Sequence, residues 1–190
     1  MQFSCRIWLI GLMGLGLLRT LWALGPMPEM LDRGVYLEQA RTLSREVAPD
    51  ARTLSFAQSR YVEYFPDGTN TLWVECWIKA FTELGAKELR DVPLFYKRGF
   101  SEGEFQLAEV VHPDGSVTTV DLQKNVQDVS SNDGNAENIY DENSRNLVLT
   151  VPQLAKDDTL HLVLARSPSG QHSCRRHRAA GYGAGPRPVG

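Results

Sequence analysis

Three residues between the two chain ends are candidates for nucleophilic catalysis. Cys76 carries a thiol, and His112 and His161 are the candidate bases. A catalytic thiolate needs a neighbouring imidazole or a helix N-terminus that lowers its pKa. Cys76 instead falls within an alternating apolar segment, where burial would raise the pKa of the thiol. We therefore expect a buried structural cysteine and two histidines in turn or solvent-facing positions. A cryptic cysteine hydrolase that uses Cys76 with either histidine is kept as an alternative.

A polar segment from residue 128 to 143 could ligate calcium. Asp128, Ser130 and Asn132 occupy the first, third and fifth places of a calcium-binding loop. The glycine that the loop requires comes one place late, at Gly134, and the twelfth place, which should hold a bidentate carboxylate, is Ile139. We expect a solvated acidic loop here and no calcium site.

Other familiar motifs are missing from the sequence. It contains no Gly-x-Ser-x-Gly elbow, no Ser, His and Asp grouping and no phosphate-binding loop. His172, Cys174 and His177 cluster near the C-terminus, but three possible ligands in an otherwise unstructured segment are a weak signal for a metal site. We therefore expect no catalytic residue, no metal ion and no cofactor.

The segment from residue 70 to 81 alternates between two sets of side chains. One set is apolar and consists of Leu72, Val74, Cys76, Ile78 and Ala80. The other mixes aromatic and charged residues and consists of Trp73, Glu75, Trp77, Lys79 and Phe81. A β-strand places the two sets on opposite faces, so we predict that the apolar set faces the core. Trp73 and Trp77 are expected to pack under a loop or helix. The alternative is a ligand platform, which would suit a carbohydrate.

The elements that position these residues are predicted to be antiparallel strands. Pro66–Gly68 and Pro113–Gly115 repeat one turn sequence, Pro-Asp-Gly, between strand-like segments, and each predicts a hairpin. The segments that flank the turns are 60–65 with 70–81, and 107–111 with 116–122. Further strands are predicted at 88–96, where Pro93 implies an edge or a bulge, and at 146–151 and 159–165. The pattern is typical of a meander or sandwich.

One helix is predicted, over residues 29–47. Apolar residues recur there at helical spacing, and Pro49 follows as a stop. We assign residues 26–49 to a helical leader and residues 50–166 to the β domain. From residue 167 the composition changes to Ser, Gly, Arg, His and Pro, which predicts a disordered basic tail over residues 167–190.

The N-terminus predicts export. Residues 7–18 carry no polar side chain, yet a helix of that length covers roughly 18 Å against a hydrocarbon core of about 30 Å. With Arg6 before it and small residues after it, the segment indicates a cleaved signal peptide over residues 1–25. An uncleaved N-terminal anchor is the alternative. We expect a periplasmic or secreted protein that has no membrane attachment after cleavage.

Charge excludes one class of partner. All 23 acidic residues lie between Glu29 and Asp158, and seven of the 20 basic residues lie outside that stretch, so the stretch has a net charge of −10. Such a surface repels phosphate backbones and anionic lipid. We expect no nucleic-acid binding.

The order of elements from residue 50 to about 166 resembles domain-of-unknown-function family 3857, which precedes transglutaminase-like domains in exported bacterial proteins. The matching pieces are Tyr64–Gly68, Thr82–Gly85, Glu88-Leu89, Phe95-Tyr96, Glu104–Gly115, Ile139–Asp141 and Leu147–Pro152. The resemblance implies a β-sandwich whose catalytic chemistry belongs to a downstream domain, so Cys76 is not that domain's nucleophile. It also implies that the sequence departs from the family near residue 165, as a truncated product would, which would leave an open sheet edge.

These observations combine into one expectation. The fold class is mainly β: an antiparallel sandwich or meander with one short N-terminal helix and a disordered C-terminal tail. The function is a non-catalytic exported accessory or interaction module of the kind that precedes a transglutaminase-like domain, here without it. Its partner would be a protein, bound by strand addition at the open edge, or a glycan. A carbohydrate- or peptide-binding module of the cell envelope is the alternative, beside the cysteine hydrolase.

Overall fold

The computed structural model describes residues 27–131 and 143–168. In chain order its elements are α1 (Arg33–Thr42), a 3-10 turn (Arg45–Val47), β1 (Thr53–Tyr64), β2 (Asn70–Ala80), α2 (Glu83–Glu88), β3 (Asp91–Lys97), β4 (Ser101–Val111), β5 (Val117–Thr119), α3 (Leu122–Asn125), β6 (Val126–Ser130), β7 (Ser144–Thr150) and β8 (Thr159–Pro168). The predicted signal peptide, most of the predicted tail and the centre of the 128–143 loop lie outside the described residues. So do Asn132, His172, Cys174 and His177.

Both predicted hairpins are present. Pro66–Gly68 joins β1 to β2, and Pro113–Gly115 joins β4 to β5. In each turn the aspartate accepts a hydrogen bond from the backbone two residues on, Thr69 N at 3.0 Å and Ser116 N at 2.8 Å. Gly68 and Gly115 adopt φ of 85° and 87°, the left-handed conformation that glycine tolerates best. The turn sequence therefore determined both hairpins.

The strands form two antiparallel sheets. The larger has five strands in the order β1-β2-β8-β4-β5, and the smaller has three in the order β3-β7-β6. This confirms the predicted mainly β, antiparallel architecture. Pro93 lies in β3 at the edge of the smaller sheet, as predicted. Strand β8 lies in the centre of the larger sheet, between β2 and β4, so among the described strands the edges of that sheet are β1 and β5.

The main core lies between the two sheets. The larger sheet contributes buried side chains from β4 and β8, and the smaller contributes Leu94 and Leu149. The residues from the larger sheet are Phe105, Ala108, Val110, Leu160 and Leu162. Full burial of such a side chain contributes about 1.5–3 kcal/mol to stability.

The two faces of β2 differ from our prediction in how deeply they are buried. The set that contains Trp73 and Trp77 is buried, at 1% and 0% exposed, while the apolar set from Leu72 to Ile78 is only half-buried. The physical reason is that both faces have a cover. Helix α1 packs on the aromatic face, whereas the three-stranded sheet is narrower than the five-stranded one and leaves the apolar face of β2 partly open.

The predicted helix over 29–47 is shorter in the structure. Asp32 caps it by accepting from Gly34 N and Val35 N, and the helix ends at Thr42. Two further helices, α2 and α3, follow predicted strands, and we predicted neither. Both are less than two turns long, and Thr82 and Asp121 cap them. Helices this short leave too few residues to set up a helical period.

Candidate functional site

A cluster of buried polar side chains lies on the helix-covered face of the larger sheet. Glu75 on β2, His161 on β8 and Glu109 on β4 come from three adjacent strands. The Nε2 atom of His161 is 2.9 Å from Oε1 of Glu75, and its Nδ1 atom is 3.1 Å from Oε2 of Glu109. The three residues are 6%, 2% and 7% exposed. We refer to these three residues as the carboxylate–histidine cluster.

Proton counting restricts the state of the carboxylate–histidine cluster. A neutral imidazole has a single N–H donor, and ionised carboxylates only accept. Two ionised carboxylates on one neutral His161 would leave a carboxylate facing a bare nitrogen lone pair. The geometry therefore requires an additional proton, carried by the imidazole or by one of the carboxyl groups. Burial makes any uncompensated charge at this place costly.

Helix α1 supplies a cation to the carboxylate–histidine cluster. Nη2 of Arg33, in the first turn of α1, is 3.1 Å from each carboxylate oxygen of Glu109. If His161 is protonated, the two carboxylates then face two cations, and the local charge sums to zero. The side chain of Arg33 is half exposed, so solvent screens its part of the interaction.

Lys79 holds the other end of the helix. Its Nζ atom donates to the backbone carbonyl of Ala40, in the last turn of α1. Burial lowers the pKa of Lys79, against the raising effect of Asp157 and Asp158. A buried cation at a helix C-terminus also faces the negative end of the helix dipole. Both ends of α1 are thus fixed to the sheet by charged side chains.

The indole of Trp77 encloses the carboxylate–histidine cluster on a further side. It stacks on His161, with ring centroids 3.8 Å apart and 13° between the planes. Its Nε1 atom donates to Glu75 at 3.2 Å. Tyr36 from α1 and Phe56 from β1 contact the indole with centroid distances of 6.1 and 6.5 Å. Trp77 is therefore a packing residue between sheet and helix.

The two tryptophans do not form a surface platform in this structure. Trp77 lies beneath α1, and Trp73 is buried at 1% exposure. Nε1 of Trp73 has no hydrogen-bond partner in the described part of the chain. A saccharide ring can stack only on an aromatic face that solvent can reach, so the structure corrects the platform alternative. For Trp77 the structure matches the expected packing under a helix.

The prediction for His161 was also wrong. We placed it in a turn or facing solvent, but it is 2% exposed, because its strand is central and α1 covers its face. His112 follows β4 at the start of the hairpin turn, where a turn histidine was predicted. The structure does not bring either imidazole to Cys76: the cysteine packs against the core between the sheets, and His161 projects from the opposite face of the sheet.

Cys76 lies in an environment that disfavours its thiolate. Burial raises the pKa of the thiol to about 11, and the nearby charge of Glu75 adds to the effect. The thiolate is the nucleophilic form of cysteine. At neutral pH Cys76 is therefore almost entirely a thiol, as the sequence predicted.

A second polar cluster fixes the β4–β5 hairpin. Nδ1 of His112 is 2.9 Å from Oδ1 of Asp158, and Nε2 is 3.0 Å from the hydroxyl of Thr118. Asp158 is buried and also accepts from Ala155 N at 2.8 Å. Thr118, His112 and Asp158 thus place a hydroxyl, an imidazole and a carboxylate in a row, the arrangement that a nucleophilic hydrolase uses. It equally ties the hairpin to the loop that precedes β8.

Asp128, the first residue of the calcium pattern, is held by protein groups. The hydroxyl of Tyr96 donates to it at 2.9 Å and Nε of Arg145 at 3.0 Å. Burial acts to raise the pKa of Asp128, but the hydrogen bonds from Arg145 and Tyr96 outweigh it and lower the pKa. Among residues 27–131 and 143–168, no group of three or more His, Cys, Asp or Glu side chains is arranged to hold a metal ion.

An open cleft lies at the end of the sandwich beside the β1–β2 turn. Thr69, Asn70, Phe100, Ser101 and Arg166 contribute to its walls. Its residues come from the ends of strands and from turns. The cleft is a place where a small ligand could reach the described surface.

Comparisons with known proteins identify a fold and no family. No family model matches the chain, and no curated protein matches it. Among solved structures, the chain is similar to a protein of Parabacteroides distasonis ATCC 8503 that is provisionally described as a protease, with a TM-score of 0.54 and 13% identity. The match covers 62% of this chain and 23% of that one. At this identity the similarity extends to the fold alone.

Two further matches are carbohydrate-binding modules of family 3a from the scaffolding protein of Clostridium thermocellum. Each is 10% identical, and their TM-scores are 0.33 and 0.34. They cover 59% and 62% of this chain, and 74% and 68% of their own lengths. TM-scores this low support no conclusion about this chain.

In the described part of the chain, no helix is long and apolar enough to cross a membrane.

The carboxylate–histidine cluster has one signal in the sequence, from which we predicted a cover over this face but not the polar cluster beneath it. Glu75 and Lys79 alternate with Trp77 on one face of a strand, and charged residues between large aromatics indicate a covered polar site. The partner His161 lies 86 residues from Glu75. A separation of that size gives no local pattern, so only the fold identifies the pair.

Proposed function

We propose that this chain is an exported β domain without catalytic activity, which acts as an accessory or interaction module of the kind that precedes a transglutaminase-like domain. The single observation that supports it best is the closure of the carboxylate–histidine cluster. Glu75, His161 and Glu109 have the side-chain types that acid–base chemistry uses, but each is at most 7% exposed beneath α1. Because a substrate cannot reach these three side chains, we assign them a structural role.

The state of Cys76 also supports the proposal. A thiol with a pKa of about 11, packed against the core, lacks both the charge and the access that a nucleophile needs. The cysteine hydrolase alternative would require that thiol to ionise near neutral pH. Neither His112 nor His161 is placed to take its proton.

The similarity to the Parabacteroides protein fits an accessory role. This chain spans 23% of that protein, so the shared fold occupies under a quarter of a larger molecule. A small sandwich of this kind commonly serves as one module among several. A carbohydrate-binding role, the other alternative from the sequence, receives no support from Trp73 and Trp77, which are buried.

Probe labelling tests the absence of catalysis. The chain is treated with a fluorophosphonate and with iodoacetamide, and labelled residues are identified by mass spectrometry. We expect no fluorophosphonate on Thr118, and alkylation of Cys76 about 100-fold slower than that of glutathione at neutral pH, because two pKa units separate their thiolate populations. Ester hydrolysis should be the same for the native chain and for His112→Gln. Labelling of Thr118 that disappears in His112→Gln would contradict the proposal.

Export is tested separately. The full chain is produced in a bacterial host, and the N-terminus of the protein recovered from the periplasm or the medium is sequenced. We expect a new N-terminus close to residue 25. An intact Met1 on protein that stays with the membrane fraction would show an uncleaved anchor instead.

A further inference from the structure

Strand β1 leaves one long edge of the five-stranded sheet open. It runs from Thr53 to Tyr64, and β2 is its ladder partner among the described strands. The residues from Arg60 onward are exposed, so this end of the strand projects from the body of the domain. An edge strand presents a row of backbone donors and acceptors that another strand can pair with.

The turn determines which backbone groups point outward. Phe65 N donates to Thr69 O at 2.9 Å, so Phe65 is directed towards β2. In an antiparallel ladder, successive residues alternate between bonding the neighbour and facing away. The residues at even positions, Arg60, Val62 and Tyr64, therefore direct their N–H and C=O groups to the open side.

The same stretch exposes large apolar side chains. Tyr61, Val62, Tyr64 and Phe65 are 45%, 39%, 76% and 40% exposed. Edge strands usually carry a lysine, a proline or a bulge that prevents pairing with another chain. The stretch from Arg60 to Tyr64 has neither lysine nor proline, and the irregularity of β1 lies earlier, between Ser55 and Ala57.

We propose that two copies of this chain pair antiparallel through the outer edge of β1, about a two-fold axis at Val62, so that their larger sheets form one continuous ten-stranded sheet. This inference deepens the interaction role proposed above and names the partner as a second copy. Val62 then faces Val62 of the other copy, and Arg60 faces Tyr64. In this register the backbone N–H and C=O groups of Arg60, Val62 and Tyr64 in each copy form hydrogen bonds with the other copy.

Charge favours this register. In the segment from residue 58 to 65 the charged residues are Arg60 and Glu63, so the segment is neutral although the domain is acidic. A two-fold axis at Arg60 or at Glu63 would place like charges opposite each other, which is destabilising. An axis at Val62 avoids both and places the guanidinium of Arg60 beside the ring of Tyr64, a favourable cation–π arrangement.

Sedimentation equilibrium tests the pairing. We expect the native chain to be a dimer whose dissociation constant falls as salt is added, because salt screens repulsion between the two acidic bodies and leaves the neutral edge unaffected. Val62→Lys should be monomeric, since it places a cation against its own copy. Val129→Lys is the matched control: Val129 is also 39% exposed, lies on β6 of the other sheet, and should leave the dimer intact.

Disulfide trapping tests the register. In a background with Cys5 and Cys174 replaced by serine, Val62→Cys should form an intermolecular disulfide on mild oxidation, because directly opposed residues of a ladder lie about 5.5 Å apart between Cα atoms. Tyr61→Cys should not crosslink to itself. A mixture of Tyr61→Cys with Glu63→Cys should crosslink, because these two residues are opposite each other in the proposed register.

Two results would overturn the inference. One is a native chain that sediments as a monomer at about 1 mM, the weak end of measurable association. The other is a dimer that does not use this edge, which would be shown if Val62→Lys left the dimer unchanged or if Val62→Cys stayed reduced. Neither result affects the probe labelling described above, so the accessory role and the self-pairing can fail independently.

Discussion

The imidazole of His161 lies parallel to the indole of Trp77, with the ring centroids 3.8 Å apart. Because the indole covers the face of the imidazole, the two ring nitrogens point sideways, one to Glu75 and the other to Glu109. Stacking thus fixes the plane of the imidazole ring, and the two carboxylates fix the directions in which its nitrogens point. The pair explains how a central strand accommodates a buried histidine.

Removing the imidazole should destabilise the fold strongly. His161→Leu leaves Glu75 and Glu109 buried without their shared partner, and breaking a buried charged network by removing one member costs about 3–5 kcal/mol. Urea unfolding followed by circular dichroism measures the loss. The triple variant Glu75→Gln, His161→Leu, Glu109→Gln should regain most of the stability, because no carboxylate remains buried. Equal stability of His161→Leu and the native chain would show that the network contributes nothing.

The two hairpins and the edge position of β3 were predictable because their signals are local. The order of strands within the larger sheet, with β8 at its centre, was not predicted. Pro-Asp-Gly specifies a turn within a few residues, and Pro93 marks an edge by the hydrogen bond that it cannot make. The depth of burial on each face of β2 was not predictable in this way. Alternation separates Trp77 from Cys76, but both faces of the strand are packed, one by α1 and one by the smaller sheet. Which element covers which face depends on contacts between distant segments.

The thiol of Cys76 should make stability depend on alkaline pH. Its pKa is about 11 in the folded chain and 9.0 for the free group, so between these values the unfolded chain ionises while the folded chain stays protonated. The stabilising contribution is complete below pH 9 and is lost as the pH rises to 11, by about 2–3 kcal/mol for a two-unit shift. Urea unfolding of the native chain and of Cys76→Val from pH 8 to 11 measures this effect. The native chain should lose stability relative to the variant; parallel curves would contradict the prediction.

Gly85 should not tolerate a side chain. A Cβ atom at this position in α2 would lie 2.2 Å from the carbonyl oxygen of Arg52, a backbone atom that cannot move aside alone. We expect Gly85→Ala to cost about 1–3 kcal/mol or more, as overpacking does. Gly34→Ala in α1 is the control, because its Cβ would meet a side-chain oxygen at 3.3 Å and alanine favours the helix by about 1 kcal/mol. Thermal unfolding of both variants gives the comparison, and equal melting temperatures would contradict the close approach at Gly85.

The docking of α1 can be tested through Trp77 itself. Ala40 is 2% exposed and packs in the cluster with Trp77, while Val35 on the same helix is 58% exposed. In a chain that begins at residue 26 and carries Trp73→Phe, Trp77 is the single tryptophan. Ala40→Phe should displace the helix, because a larger side chain in a filled site costs about 1–3 kcal/mol. Acrylamide quenching of Trp77 should then rise several-fold.

Val35→Phe is the matched control for this substitution. It adds an aromatic ring to an exposed position of α1, so quenching of Trp77 and the free energy of unfolding should stay close to the values of the parent chain. If Ala40→Phe also leaves both quantities unchanged, α1 does not cover the indole in solution. Substrates could then reach Glu75 and His161 next to the indole, and burial under α1 would no longer support a non-catalytic role.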